Sequence, residues 1–400
     1  MNNIVGVISV LIIMLSGCGE SPGEKDIFSV EKAEASLERA AQQYKRMMQT
    51  IPDSVLPRTF QSDTMVYSNI YWWTSGFFPG SLWYLYEHTG DETFMEEARK
   101  RTMLLEPIKN VTNDHDVGFM LYCSYGNGLR ITGNESYADV LLQGAASLST
   151  RYNPVVGSLK SWDWSKKWQF PVIIDNMMNL ELLMWAHQES SNDQYKEISL
   201  DHSFTTLENH YREDHSCYHV VDYDPETGEV LERVTHQGYS DESVWARGQS
   251  WGLYGFTMIY RETKDPAFLE KAENIANFLL NHPNMPEDNI PYWDFDAPNI
   301  PDALRDASAS SIMASALLEL STFAEGESSD FYFRSAEKIL ATLSDDQYLA
   351  KPGENGNFIL KHSVGHLPGD SEVDVPLTYA DYYFIESLMR YIHLKKQTNI

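Results

Sequence analysis

Downstream of residue 28, apolar and polar positions fall into recurring blocks. A helical stretch that is apolar nearly all round is followed by a polar turn and then by an amphipathic stretch. Phe77 to Tyr86 and Met177 to Trp185 are of the first kind, and Glu92 to Leu105 is of the second. A helix apolar on every face needs protein around it, whereas an amphipathic helix needs it on one side only. Each apolar block opens on a Gly- or Asp-containing start, at Trp73-Thr74-Ser75-Gly76, Asp116-Val117-Gly118, Asp175-Asn176, Trp245-Ala246-Arg247-Gly248, Asp306-Ala307-Ser308 and Tyr379-Ala380-Asp381. The turns at Thr89 to Phe94, Thr132 to Tyr137, Ser191 to Tyr195 and Thr263 to Phe268 each place Asp or Asn where a helix N-cap belongs, with an aromatic residue three positions later.

Six starts predict six helical hairpins, and six inner helices ringed by six outer ones make an all-α (α/α)6 toroid. An open α-solenoid is the alternative. The uneven spacing of the starts, which leaves long loops for a pocket at one end, and the apolar character of every inner helix count against it. Short β-hairpin insertions are expected, most clearly at Cys217 to Arg233, where Tyr223-Asp224-Pro225-Glu226-Thr227-Gly228 is a strong turn signal.

Four hundred residues exceed the usual size of one domain, but toroids reach this length as a single unit. The chain divides into residues 1–17, a tether at 18–28 and one domain at 29–400. Ile4 to Leu15 is an apolar run too short to span a bilayer, and Leu15-Ser16-Gly17-Cys18 follows it. This resembles a bacterial lipoprotein signal with Cys18 as the lipid-bearing residue, although no Lys or Arg precedes the run. The expectation is an exported lipoprotein, periplasmic or at the cell surface, with membrane association only through that anchor. Cys123 and Cys217 fit neither a zinc pattern nor a disulfide framework and read as packed thiols.

A net charge of −28 without basic runs argues against nucleic acid or an anionic membrane as partner. An anionic small substrate would have to be captured by a local cluster of Arg and His. HExxH, paired CxxC, Walker and GxGxxG patterns in a βαβ context are missing from the sequence, so no metal, nucleotide or redox cofactor is expected.

Asp116 and Asp175 fall at starts of inner helices, hence at the mouth of the toroid. The apolar residues before Asp175 suggest burial, which raises a carboxyl pKa and preserves an acid near neutral pH. Asp116 has more polar neighbours and is expected to stay ionised. Two carboxyls with diverging pKa values equip a site for acid-base work on a glycosidic or vinyl ether. Both positions also suit plain N-caps, and the two roles are compatible.

Arg247 and Trp251, in THQGYSDESVWARGQSWGLYGF (Thr235 to Phe256), lie at i and i+4 and so share one helix face. They offer a carboxylate fork beside a stacking plane. In the competing reading the tryptophans are core and Arg247 closes a structural ion pair. Trp162 and Trp164, in KSWDW, and Trp72 and Trp73 supply further aromatic planes, some of which must be core. His219 and His236 flank the β-hairpin and could donate to a carboxylate or hydroxyl, whereas His187, His202, His210 and His215 are expected to be structural or exposed.

At these residues the chain resembles the unsaturated glucuronyl hydrolases, glycoside hydrolase family 88, over about residues 30 to 390. The likeness rests on HDVGF, IIDNMMNL, the Thr235 to Phe256 segment and DVPLTYADYYF, taken together with the toroid. It implies a substrate left by a polysaccharide lyase, an oligosaccharide whose non-reducing end is a 4,5-unsaturated uronic acid. It implies Asp175 as general acid and water-activating base and Asp116 as its carboxylate partner. His115, Trp162, His219, Thr235, His236, Arg247 and Trp251 would form the pocket.

Members of this family that prefer sulfated disaccharides carry Ser-x-x-Ser-x-Lys before the last inner helix. Here Ser363 is retained in Ser363-Val364-Gly365-His366-Leu367-Pro368, but His366 and Pro368 replace the second Ser and the Lys. The alternatives are the sibling unsaturated rhamnogalacturonyl hydrolases, an inverting glycosidase of the same fold and a non-catalytic glycan-binding lipoprotein.

Overall fold

The computed structural model describes residues 27–398, so Cys18 and the segment around it lie outside the described residues. Six apolar helical units form an inner ring. They are α2 (Phe77–Thr89), α4 (Val117–Leu121) with α5 (Asn127–Thr132), α7 (Leu180–Ser190), α9 (Ala246–Thr263), α11 (Ala307–Ser321) and α13 (Thr378–Thr398). The outer layer is α1 (Val30–Thr50), α3 (Glu92–Leu104), α6 (Ser136–Ser149), α8 (Asp193–Asn209), α10 (Pro266–Leu280) and α12 (Gly326–Leu343). α2 packs on α3 and α13, α9 on α10 and α11, and α11 on α12 and α13, so the inner ring closes on itself. The expected (α/α)6 toroid is the fold.

The turn chemistry works as the sequence indicates. Asp91, Asn192 and Asp265 cap α3, α8 and α10 with their side chains; three positions on, Phe94 and Phe268 are buried under the helices they begin, and Tyr195 is half-buried.

Hairpin pairing departs from a simple count of starts, because among the described residues no outer helix follows α13. The sixth outer helix is α1, which packs against α13 from the other end of the chain. Tyr391 in α13 donates to the Phe28 carbonyl at 2.6 Å and its ring lies 5.2 Å from that of Phe28. Buried Asp381 accepts from the Ile359 and Leu360 amides and from the Tyr44 hydroxyl of α1.

Two inner helices are also less regular than their apolar patterns predict. Ile174–Asn179 winds as a 3₁₀ segment before α7, and Tyr122–Gly126 is a π turn between α4 and α5. In the first case, side chains are spent on distant partners. Asn176 donates to the Leu159 carbonyl, and the Asn179 side-chain carbonyl accepts from the Phe119 amide at 2.7 Å. Gly118 permits that approach, since a Cβ there would lie 2.6 Å from the Asn179 Cα.

Short antiparallel strands decorate the toroid: β1 (Leu56–Gln61) with β2 (Thr64–Ser68), β3 (Tyr152–Asn153) with β4 (Ser158–Leu159), β5 (Phe170–Ile173) with β6 (Val220–Tyr223) and β7 (Val230–Val234), and β8 (Ser363–His366) with β9 (Ser371–Val375). The expected hairpin at Cys217 to Arg233 is β6–β7. Its turn is held by Asp224 accepting from the Glu226 and Thr227 amides, with Gly228 at φ 76°. Cys123 and Cys217 are buried, free thiols. Among the described residues, no helix is long and apolar enough to cross a membrane.

Candidate active site

The inner helices present their N-terminal ends to one mouth of the ring, and a cavity of about 440 Å³ opens there. Trp72 and Trp73 reach it from the start of α2, Asp116 from α4, Asp175 from the 3₁₀ segment, Arg247 from the first turn of α9 and Tyr379 from α13. Loops above add Trp162, Trp164, His236 and Gln237, and the β-hairpins add Arg58, Gly365, His366, Ser371 and Glu372. A pocket of this size suits a small ligand. Neither Asp116 nor Asp175 uses its side chain as a helix cap, so the reading of both as plain N-caps does not hold.

Asp175 is buried, and its Oδ2 has no hydrogen-bond partner in the protein. Burial pushes its pKa up to about 7; the nearby Asp116 adds to the rise, and Arg247 and His115 oppose it. The expected protonated acid near neutral pH is therefore in place. His219 Nε2 stands 3.8 Å from that Oδ2. His219 Nδ1 accepts from the His236 and Gln237 amides, both at 3.1 Å, so the ring proton resides on Nε2, facing Asp175. Burial holds this imidazole neutral, well below its ordinary pKa.

Asp116 does not behave as its polar sequence neighbours suggested. Burial, reinforced by Asp114, drives its pKa well above the carboxylate range, against the Asn179 amide that donates to Oδ1 at 3.2 Å. Only 13% of its side chain is exposed. His115 Nδ1 donates to the Ser161 carbonyl at 2.8 Å, which leaves Nε2 as a lone pair 3.4 Å from Asp116 Oδ1. A proton on Asp116 has its acceptor there. Sequence polarity failed as a guide because Asn113 and Asp114 do not restore the solvent that folding removes from Asp116. Asp114, His115 and Asp116 also bring potential ligand atoms within 4.8 Å of one another.

Four expected contacts are corrected. Trp251 is fully buried and packs on Phe119 and Tyr383, one helical turn below the cavity, so it is core and not a stacking wall. Arg247 lines the cavity, but one Nη donates to the Val364 carbonyl and meets Asp306 at 3.3 Å, and the other donates to the Gly365 carbonyl at 2.6 Å. Both Nη groups are thus taken by β8 and Asp306, as the structural reading held, while Nε has no partner; the side chain also supplies positive potential at Asp175. Thr235 turns into its own loop, where Oγ1 accepts from the Gly238 amide, and does not line the cavity. Ser363 is fully buried and also stands off the lining.

His115 and His219 act from behind the wall, while Trp162 and His236 form part of it. Trp162, Trp164 and Trp168 cluster with His236 at ring distances of 5.1 to 6.4 Å. In the local cluster of Arg and His expected for an anionic substrate, the positive charge rests on the arginines and not on the lining histidines. Burial holds His236 at about 4, and His366 is also lowered. His202 and His210 are buried structural residues, as anticipated. The sequence reading missed Arg58, Tyr71, Asn113, Gln237, Glu372 and Tyr379. Gln237 and Tyr379 lay inside quoted motifs, whereas nothing local distinguishes Arg58, which tertiary folding alone brings to the rim.

A helical toroid with paired buried carboxyls and an aromatic rim at the inner-helix mouth defines a carbohydrate-active enzyme architecture. The model of Glycosyl Hydrolase Family 88 matches residues 40–390, and the chain belongs to that family. It is 48% identical over 320 residues to the unsaturated glucuronyl hydrolase of Formosa agariphila, covering 80% of this chain and 79% of that protein. It is 34% identical to the unsaturated chondroitin disaccharide hydrolase of Streptococcus pneumoniae, over 85% and 86% of the two chains. A crystal structure of an unsaturated glucuronyl hydrolase specific for heparin superposes with a TM-score of 0.90 at 51% identity, over 92% of this chain and 99% of the other.

Asp175→Asn is expected to lower kcat at least ~100-fold, the scale of a lost general acid, with substrate binding still measurable by calorimetry. In the wild type, activity that needs the protonated acid falls as pH rises through about 7. The same group makes stability fall with pH between its ordinary value of 3.8 and about 7, because the folded state retains a proton that the unfolded state has released. The Asn variant should therefore gain stability relative to wild type above pH 7, read as a higher urea midpoint; full activity in it would remove Asp175 from the chemistry.

Arg247→Ala leaves Asp306 and two buried carbonyls without their partner, and should cost about 3 kcal/mol of stability. It should also move the alkaline limb of kcat/KM to higher pH, since it removes the charge that pulls the Asp175 pKa down. An unchanged limb would deny the electrostatic role.

Proposed function

We propose that this protein is a hydrolase that removes a 4,5-unsaturated uronic acid from the non-reducing end of lyase-generated oligosaccharides, with glycosaminoglycan fragments as the substrate class. The observation that carries this reading is Asp175, a carboxyl held protonated up to about pH 7 at a cavity that also offers aromatic planes. The Formosa and Streptococcus relatives, named for unsaturated glucuronyl and chondroitin substrates, support it. Membership of family 88 favours it over the sibling rhamnogalacturonyl family and over pure glycan binding.

The reaction is hydration of the C4=C5 enol ether. Asp175 donates its proton to C4, and positive charge develops at C5 and the ring oxygen. Ionised Asp175, stabilised by Arg247, then accepts a proton from the water that adds at C5. The resulting hemiketal opens and rearranges, and the neighbouring sugar leaves without attack at the anomeric carbon. Asp116, tied to Asn179 and facing His115, positions the ring and supplies or withholds charge beside it. His219 turns its Nε2–H toward Asp175 Oδ2 at 3.8 Å, beyond hydrogen-bond distance, and leaves that oxygen free for the reacting groups.

We also propose that the protein is exported and anchored through lipid on Cys18; the N-terminal sequence supports this placement.

The activity is checked by supplying unsaturated disaccharides from chondroitin, hyaluronan, heparin and ulvan and following the ultraviolet absorbance of the conjugated enol ether. Absorbance should decay with at least one of them; constancy across the panel would sink the hydration reading. For the anchor, Cys18→Ala should move the protein from the membrane fraction to the soluble fraction. Retention of that variant on membranes would contradict lipidation at this residue.

A further inference from the structure

Among the described residues two arginines line the cavity, and they differ in what their Nη donors do. Both Nη groups of Arg247 are committed to carbonyls of β8, and one of them also to Asp306. Arg58, on β1 at the rim, uses only Nε, which meets Glu372 Oε1 at 2.6 Å. Among the described residues, no hydrogen bond engages either Arg58 Nη. Its guanidinium carbon lies 4.0 Å from the Trp72 ring centroid, so the plane is held against an aromatic face while Glu372 fixes its edge. With 21% of the side chain exposed, Arg58 is anchored without being closed off.

The surroundings say which part of a substrate it meets. Asp116 and Asp175 mark the deep end, where the reacting ring must sit. Arg58 lines the cavity together with the solvent-exposed Trp72 and Tyr71, which are 37% and 57% exposed. Exposed aromatic faces at a pocket rim suit a sugar ring, and a guanidinium edge beside them suits an oxyanion attached to that ring. The histidines of the lining are held neutral, and both Nη groups of Arg247 are already taken. Arg58 is thus the lining cation whose Nη donors are uncommitted.

We infer that Arg58, stacked on Trp72 and braced by Glu372, binds a sulfate ester on the leaving sugar and sets the preference of the enzyme for sulfated substrates. The inference rests on the hydration reading above and adds to it the site at which the second sugar is discriminated. Arg58 acts on the sugar that leaves and has no part in proton transfer.

The test compares kcat/KM of wild type, Arg58→Ala and Arg58→Lys on unsaturated disaccharides that differ only in sulfation of the hexosamine. A lost charge-assisted contact is worth about tenfold or more. Arg58→Ala should lose about that factor on a sulfated disaccharide, chiefly in KM, and stay within about twofold on the unsulfated one. Arg58→Lys should recover part of the loss, because a point charge replaces a fixed fork. The unsulfated rate also serves as the control for folding. Equal losses on both substrates would place Arg58 against the uronate itself and overturn the inference, as would unchanged rates on every sulfated disaccharide. A wild-type enzyme inert towards all of them would overturn the hydration reading, and this inference with it.

Discussion

The structure depends on closing a ring of helices that are apolar on all sides. Such helices are stable only when both their inward and outward faces are covered, and an open row would leave two edges in water. The chain meets this constraint with its two ends. α1 supplies the outer cover for α13, the last inner helix, and α13 packs on both α11 and α2. Phe28, Tyr391, Tyr44 and Asp381 tie that junction. Because every inner helix begins at the same mouth, ring closure also sets the positions of Asp116, Asp175, Arg247 and Tyr379 relative to one another.

That geometry has an electrostatic cost and uses it. Two carboxyls are kept in a partly dry cavity, where ionising both is unfavourable, and both hold their protons above the usual range. The surrounding groups separate their environments. Asp175 faces Arg247 and an imidazole whose proton is turned toward it, while Asp116 faces an imidazole lone pair and an Asn amide. The Gly118–Asn179 contact locks the two inner segments together at the level of the carboxyls. Proton affinity is thus set by packing between segments that are far apart in sequence.

Much of the fold was legible because it rests on local rules. The inner-helix starts, the caps at Asp91, Asn192 and Asp265, and the Asp224 to Gly228 turn follow from periodicity and short-range hydrogen bonding. The 3₁₀ segment at Ile174–Asn179 and the π turn at Tyr122–Gly126 were not legible, since tertiary partners of Asn176 and Asn179 and the packing of neighbours decide them. Trp251 shows the same limit. Spacing put it on the face of Arg247, but i and i+4 positions differ in depth by a full turn, and one turn separates the cavity from the core.

By itself, then, the sequence determined an all-α toroid, the two carboxyls at its mouth and the family to which their motifs belong, because each of these is written in local pattern or in contiguous residues. The tertiary structure alone decided how charge is distributed in the cavity. It neutralised the histidines, closed Arg247 on β8, raised Asp116 with Asp175 and brought Arg58 to the rim from a strand that carries no motif. The physical reason is that protonation and donor availability depend on burial and on partners distant in the chain, and neither can be read from the neighbours a residue has in sequence.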